Sequence, residues 1–209
     1  MSLVRLIVYS DYLCPWCYNA SVRLRRLEEE MSSDLEIVWR SYLLRPEPKA
    51  RNVEKFRAYT QSWARPGEEE DSGTFRPWAS DAPPPTHSVP AHVVAKAAAT
   101  LDPESFHKMH DALLRAYFTD NRDISDESVL EAIWNEQALP RDAFARSQSP
   151  EILAETLEDF AEAQSLGITG APAARLEGNE AFLTGALPVP MYRRWIERQI
   201  AARSTPATH

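Results

Sequence analysis

The chain has 209 residues, 44% hydrophobic and 26% charged, with a formal net charge of -8. That is globular composition on the scale of one domain, or of one small domain carrying an insertion, and no apolar run approaches the roughly 20 residues that cross a bilayer. The acidic balance argues against a broad phosphate-binding surface, which needs clustered Lys and Arg, so neither nucleic acid nor a membrane is an expected partner.

Leu3-Val-Arg-Leu-Ile-Val-Tyr9 is a nearly continuous apolar run and predicts a strand buried on both faces. The first nine residues lack a basic leader and a small-residue cleavage site, so a cytoplasmic location is expected. From Pro15 onward, Cys17, Ala20, Leu24, Leu27 and Met31 recur at spacings of three and four. This is the stripe of an amphipathic helix, and Pro15 suits its first position, where a missing N–H costs nothing. Leu35 to Tyr42 alternates partly at period two, as a second strand does. Strand, helix and strand make a right-handed βαβ unit with parallel strands.

After Leu44, prolines at 46, 48, 66, 77, 83, 84, 85 and 90 and the acidic run Glu68-Glu-Glu-Asp71 predict mostly loop, with the acidic run a solvated patch. From His92 to Gly167 the period becomes helical. Phe106, Met109, His110, Leu113, Leu114 and Tyr117 form one face, and Val129, Leu130, Ile133 and Trp134 another. Ser149-Pro-Glu151 opens a third helix with an N-cap, and Gly167 closes it. Ala173–Glu177 and Ala181–Thr184 flank Gly178-Asn179, which suits a tight hairpin turn. Met191, Trp195, Ile196 and Ile200 supply the stripe of a closing helix, with Arg203–His209 a frayed tail. The order is β-α-β, a block of helices, then β-β-α. Neither outer piece is large enough to bury its own faces, so an α/β fold is expected in which residues 1–45 and 168–203 share one sheet and residues 46–167 form an inserted, mainly helical lid.

Tyr12-Leu-Cys-Pro-Trp-Cys-Tyr18 holds both cysteines of the chain. A Cys-x-x-Cys turn is half of many zinc sites, but a structural site wants four ligands and no second pair exists, leaving only His87, His92, His107 and His110 to complete one. No metal site is expected. Two packed small side chains are a second reading. The third is a redox pair. Cys14 falls where the first strand meets the helix, and free backbone N–H groups and the helix dipole there favour a thiolate; Cys17, one turn further, lies on the apolar stripe. An accessible attacking sulfur beside a shielded resolving one is the asymmetry that thiol-disulfide exchange needs, and Cys-x-x-Cys after a strand in a βαβ pattern reads as redox chemistry.

Ser10-Asp-Tyr-Leu-Cys-Pro-Trp-Cys-Tyr-Asn19, the helical block with Phe106–Phe118, and Leu166-Gly-Ile-Thr-Gly-Ala-Pro172 together resemble the DsbA-like thioredoxin-fold oxidoreductases, in particular their cytosolic FrnE-like branch. The likeness covers most of the chain. It implies a thioredoxin fold split by the helical insertion, with Cys14 the nucleophile, Cys17 the resolving sulfur and Pro172 a cis-proline facing them. Ala171 would touch the disulfide, at a position where relatives often carry Val or Thr. Pro15 and Trp16 would tune the redox poise, Trp16 either joining an apolar contact surface or packing on the insertion. His92 matches an Ala-His position that covers the active cleft in FrnE-like and kappa-type relatives; its alternative is a helix-start residue satisfied by a local hydrogen bond. One departure is Val8, which stands where many thioredoxin-like proteins carry a buried acid. Asp11 is the nearest substitute, unless it caps the turn before the helix.

The expected function is thiol-disulfide exchange with a protein or small-thiol substrate, without an organic cofactor, glutathione being a possible co-substrate. Two alternatives stand beside it: a glutathione-dependent kappa-type transferase or 2-hydroxychromene-2-carboxylate isomerase, in which Cys17 is dispensable, and a non-catalytic binding or chaperone module.

Overall fold

The computed structural model describes residues 3–179 and 181–204. β1 (Val4–Ser10), α1 (Pro15–Glu30) and β2 (Leu35–Ser41) form the βαβ unit that the patterning predicts. The two strands run parallel in register from Val4↔Leu35 to Ser10↔Ser41. A helical segment follows: α2 (Val53–Thr60), a 3-10 turn at Gln61–Trp63, α3 (Ala64–Gly67), α4 (Val89–Ala99), α5 (Pro103–Phe118), α6 (Glu127–Glu136), a 3-10 stretch at Arg141–Gln148 and α7 (Pro150–Ser165). β3 (Ala173–Leu176), β4 (Phe182–Thr184) and α8 (Val189–Ser204) close the chain. The sheet order is β2-β1-β3-β4, with β3 antiparallel to both its neighbours, so the two ends of the sequence share one sheet. This is the split thioredoxin-like arrangement that the resemblance implies.

Three apolar clusters hold these layers. On one sheet face, Leu6 and Val8 pack with Ala20, Leu24 and Leu27 of α1 and with Tyr192 and Ile196 of α8. On the other, Ile7 and Tyr9 meet Ala163 and Ile168. The largest cluster lies in the helical segment around Trp63, Trp78, Tyr117, Phe118 and Trp134. Tyr12 and Leu13, from the turn before α1, belong to that cluster. The turn that carries Cys14 is therefore anchored in the core of the insertion. A buried ionic cluster adds a second tie. Asp159 of α7 accepts from Arg40 Nη1 at 2.6 Å and the Ser41 amide at 3.0 Å on β2, and Lys96 of α4 reaches it at 2.8 Å.

The chain departs from its patterning in two places. The stretch after Leu44 contains α2, whose Phe56 is buried; the run from Lys49 to Arg65 is free of proline and long enough for a helix, although prolines dominate the composition around it. Pro90 opens α4 instead of belonging to the loop, because its missing N–H falls in the first turn. Of the frayed tail expected over Arg203–His209, α8 takes the first part up to Ser204, and residues 205–209 lie outside the described residues. Gly178 takes a positive φ of 79° in the β3–β4 turn, as its lack of a Cβ allows. Among the described residues, no helix is long and apolar enough to cross a membrane.

Candidate active site

Cys14 is the N-cap residue of α1, in extended conformation with φ -97° and ψ 116°, and Pro15 follows in the first turn. Asp11 builds the turn that brings it there. One carboxylate oxygen accepts the Leu13 amide at 2.6 Å, the other accepts the Leu44 amide at 2.7 Å, and the Asp11 carbonyl takes the Cys14 amide at 3.1 Å. Asp11 is thus a turn cap that also ties down the chain leaving β2. Burial pushes its pKa up to about 6, against the pull of hydrogen bonds from Ser88, Leu13 and Leu44.

The Cys14 sulfhydryl donates to the Ala171 carbonyl at 3.3 Å, and the Ala171–Pro172 peptide bond is cis. Pro172 is held from its own side, its carbonyl accepting the Gly185 amide at 2.8 Å. Cys17 is fully buried behind Cys14, both thiols are free, and the Cys17 sulfur accepts the Asp11 amide at 3.4 Å. Burial pushes the Cys17 thiol well above its ordinary pKa, and the hydrogen bond and charge of Cys14 add to this; hydrogen bonds from the Ser10 hydroxyl and the Asp11 amide pull the other way.

Cys14 is only 5% exposed, yet it forms part of the wall of an open cleft of about 350 Å³. Leu13, Pro15 and Trp16 line one side, while Tyr59, Trp63 and Arg65 from the α2–α3 region line the other. The Arg65 guanidinium lies 5.9 Å from the Trp16 ring centre, within cation–π range. Trp16 lines the cleft and lies opposite Arg65 of the insertion. Leu44 and Tyr59 leave about half their surface in solvent, giving the cleft an apolar rim.

Pro15, Trp16, Ala171 and Pro172 therefore gather around Cys14, and His92 does not. It sits in the first turns of α4, 5% exposed, edge-to-face with Tyr12 at 4.8 Å between ring centres. Instead of the cleft it lines a small cavity whose polar lining includes Ser10, Ser41 and Lys96, and its Nε2 atom has no hydrogen-bond partner. Burial, reinforced by Lys96, pushes its pKa down to about 3. The other histidines are scattered. His110 is wedged between the Tyr12 hydroxyl and the Ser21 hydroxyl, each at 2.9 Å; His87 meets Thr86; His107 lies 3.9 Å from Glu28. Among the described residues, no group of three or more His, Cys, Asp or Glu side chains is placed to hold a metal ion.

Sequence reading missed Ser10 beside Cys17, the cleft residues Tyr59, Trp63 and Arg65, and Asp159. Only Asp159 left a legible signal: Ile152, Thr156, Asp159 and Ala163 share the buried stripe of α7, where an acid is out of place unless it is paired.

A family model described as a DSBA-like thioredoxin domain matches residues 5–197. Among curated proteins no sequence matches. Solved structures do. A candidate protein disulfide isomerase from Nitrosomonas europaea superposes with a TM-score of 0.83 at 19% identity, over 98% of this chain and 100% of that one. The cytosolic disulfide reductase DsbM from Pseudomonas aeruginosa gives 0.75 at 22% identity, over 95% and 99% of the two chains. The same protein solved with GSH gives 0.72 at 21% identity, over 94% and 99%. At such identities the likeness to these structures is one of fold.

Proposed function

We infer, since the chain belongs to the DSBA-like thioredoxin family, that Cys14 and Cys17 are the redox pair of this thiol-disulfide oxidoreductase. The observation that carries the assignment is the setting of Cys14: a sulfur at a helix N-terminus, 3.3 Å from the Ala171 carbonyl, in the wall of an open cleft, with a buried second sulfur behind it. Helix N-termini favour anions, so the geometry suits a thiolate that attacks and is later displaced.

The Cys14 thiolate attacks one sulfur of a substrate disulfide, the substrate S–S bond breaks, and the departing thiolate takes a proton from solvent. Cys17 gives up its proton and attacks the Cys14 sulfur. The mixed disulfide breaks, a Cys14–Cys17 bond forms, and the second substrate thiol leaves. Two electrons pass from the pair to the substrate; two equivalents of a small thiol, oxidised to its own disulfide, restore the dithiol, and the same steps reversed oxidise a substrate dithiol. The substrate is a disulfide- or thiol-bearing peptide or small molecule whose backbone runs along Gly170 and Ala171, with apolar groups against Trp16, Leu44 and Tyr59. Glutathione is a candidate partner thiol, in keeping with the GSH complex of the cytosolic reductase DsbM. The reading places the enzyme in the cytoplasm, in the FrnE-like branch.

Intact-mass analysis after mixing with a disulfide-bonded peptide tests the roles. Cys17→Ala should accumulate one peptide adduct on Cys14, while Cys14→Ser should form none and lose turnover. Wild-type turnover by Cys14→Ser would sink the reading; full activity of Cys17→Ala would turn it toward a glutathione-dependent transferase.

A further inference from the structure

Cys17 must lose its proton before it can attack, yet it is fully buried, and Val8 of β1 stands apolar where the resemblance would place a buried acid. Ser10, the last residue of β1, immediately precedes Asp11, whose amide donates to the Cys17 sulfur at 3.4 Å, so its hydroxyl lies close to that sulfur and favours its ionised form. The same side chain lines a cavity of about 20 Å³ between the ends of β1 and β2 and helices α4 and α5. A site of this size holds one water, provided it offers the water polar partners. It does: Ser41, paired with Ser10 across the strands, and Lys96 line it, and the buried Nε2 atom of His92 has no partner within the protein. The cavity also reaches Arg40, whose side chain is 37% exposed, so it leads toward solvent.

We propose that Ser10 and a water held by His92 in this cavity form a proton path that serves Cys17 during resolution of the mixed disulfide. This rests on the assignment of Cys14 and Cys17 given above. As the Cys17 sulfur approaches Cys14, its proton passes to Ser10 Oγ, and the hydroxyl proton of Ser10 passes to the cavity water and out past Arg40. The new S–S bond forms from the sulfur lone pair, and the electron pair of the broken mixed disulfide leaves on the substrate sulfur, which solvent in the cleft protonates. The path runs away from the substrate cleft, so the Cys17 proton leaves without passing through it.

A chromogenic aryl disulfide mixed with the reduced protein releases one coloured thiolate when Cys14 forms the adduct and a second when Cys17 resolves it. Stopped-flow absorbance separates the two phases. Ser10→Ala should leave the first phase unchanged and slow the second at least roughly tenfold, and Ser10→Thr, which restores a hydroxyl, should return it to within about twofold of wild type. His92→Phe, which keeps a ring and removes its nitrogens, should slow the second phase alone. A second phase at the wild-type rate in Ser10→Ala or in His92→Phe overturns the path. So does equal slowing of both phases in both Ser10 variants, which would make Ser10 a packing residue. Release of a single thiolate by the wild-type protein would instead overturn the assignment of the pair.

Discussion

At Asp11 a single carboxylate stands between stability and the position of the attacking sulfur. Its two oxygens take the amides of Leu13 and Leu44. Removing it in Asp11→Ala leaves the buried Leu13 amide unpaired and hands the half-exposed Leu44 amide to water, at a cost of about 2 kcal/mol at neutral pH. The pH dependence has a definite sign. The folded-state pKa is about 6 against an ordinary aspartate value of 3.8, so between those values the native protein keeps a proton that the unfolded chain has lost, and this group's contribution to stability falls as pH rises. The gap between wild type and Asp11→Ala should therefore widen by about 2 kcal/mol on going from pH 7 to pH 4. Urea unfolding of both proteins at a series of pH values measures it, and a gap independent of pH would show that burial does not control this carboxylate. An acid close to Cys14 in sequence invites a catalytic role, but its contacts are those of a cap.

The elements divide by how far apart in sequence their determinants lie. β1, α1 and β2 are legible because each carries its own period, and the N-cap position of Cys14 follows from Pro15 and the start of the apolar stripe. The β3 segment is legible through the Gly and Pro residues that bound it. The opposite wall of the cleft is not, because Tyr59 and Arg65 meet Cys14 only through tertiary packing across about half a hundred residues of chain, where no period records the encounter. His92 illustrates the same limit: its place in a helix could be read, but which side of the cysteine turn that helix covers could not. Asp159 lies between these cases. Its position on the buried stripe of α7 implies a partner, and Arg40 and Lys96 come from two other elements. Asp159→Ala strips the charge partner from both and the acceptor from the Ser41 amide. The expected loss is about 3 kcal/mol, at the low end for a broken buried pair, because Arg40 can turn to solvent and Lys96 keeps Glu155. Denaturant unfolding tests this, and a loss below about 1 kcal/mol would reduce the cluster to a surface-type ion pair.

Across the whole molecule, the apolar clusters on the sheet and in the helical segment are separate, and a chain of this size with separate cores often unfolds in stages. Three connections work against that here. Tyr12 and Leu13 place the cysteine turn inside the helical core, Asp159 joins α4 and α7 to β2, and the buried Arg23 of α1 donates to the Glu70 carbonyl at 2.6 Å and the Ala186 carbonyl at 2.8 Å. Arg23 thereby links the sheet helix to the acidic loop and to the chain before α8, so loosening either layer leaves its guanidinium donors without acceptors in an apolar setting. The insertion and the sheet should then unfold together. Tryptophan fluorescence, dominated by the buried Trp63, Trp78 and Trp134 of the helical core, should give the same denaturation midpoint as far-UV circular dichroism, which reports all the helices and the sheet. An earlier fluorescence transition would mean that the helical segment opens on its own and exposes the cysteine turn before the sheet fails. In that event Asp159→Ala should separate the two curves further, since it removes one of the ties between the layers.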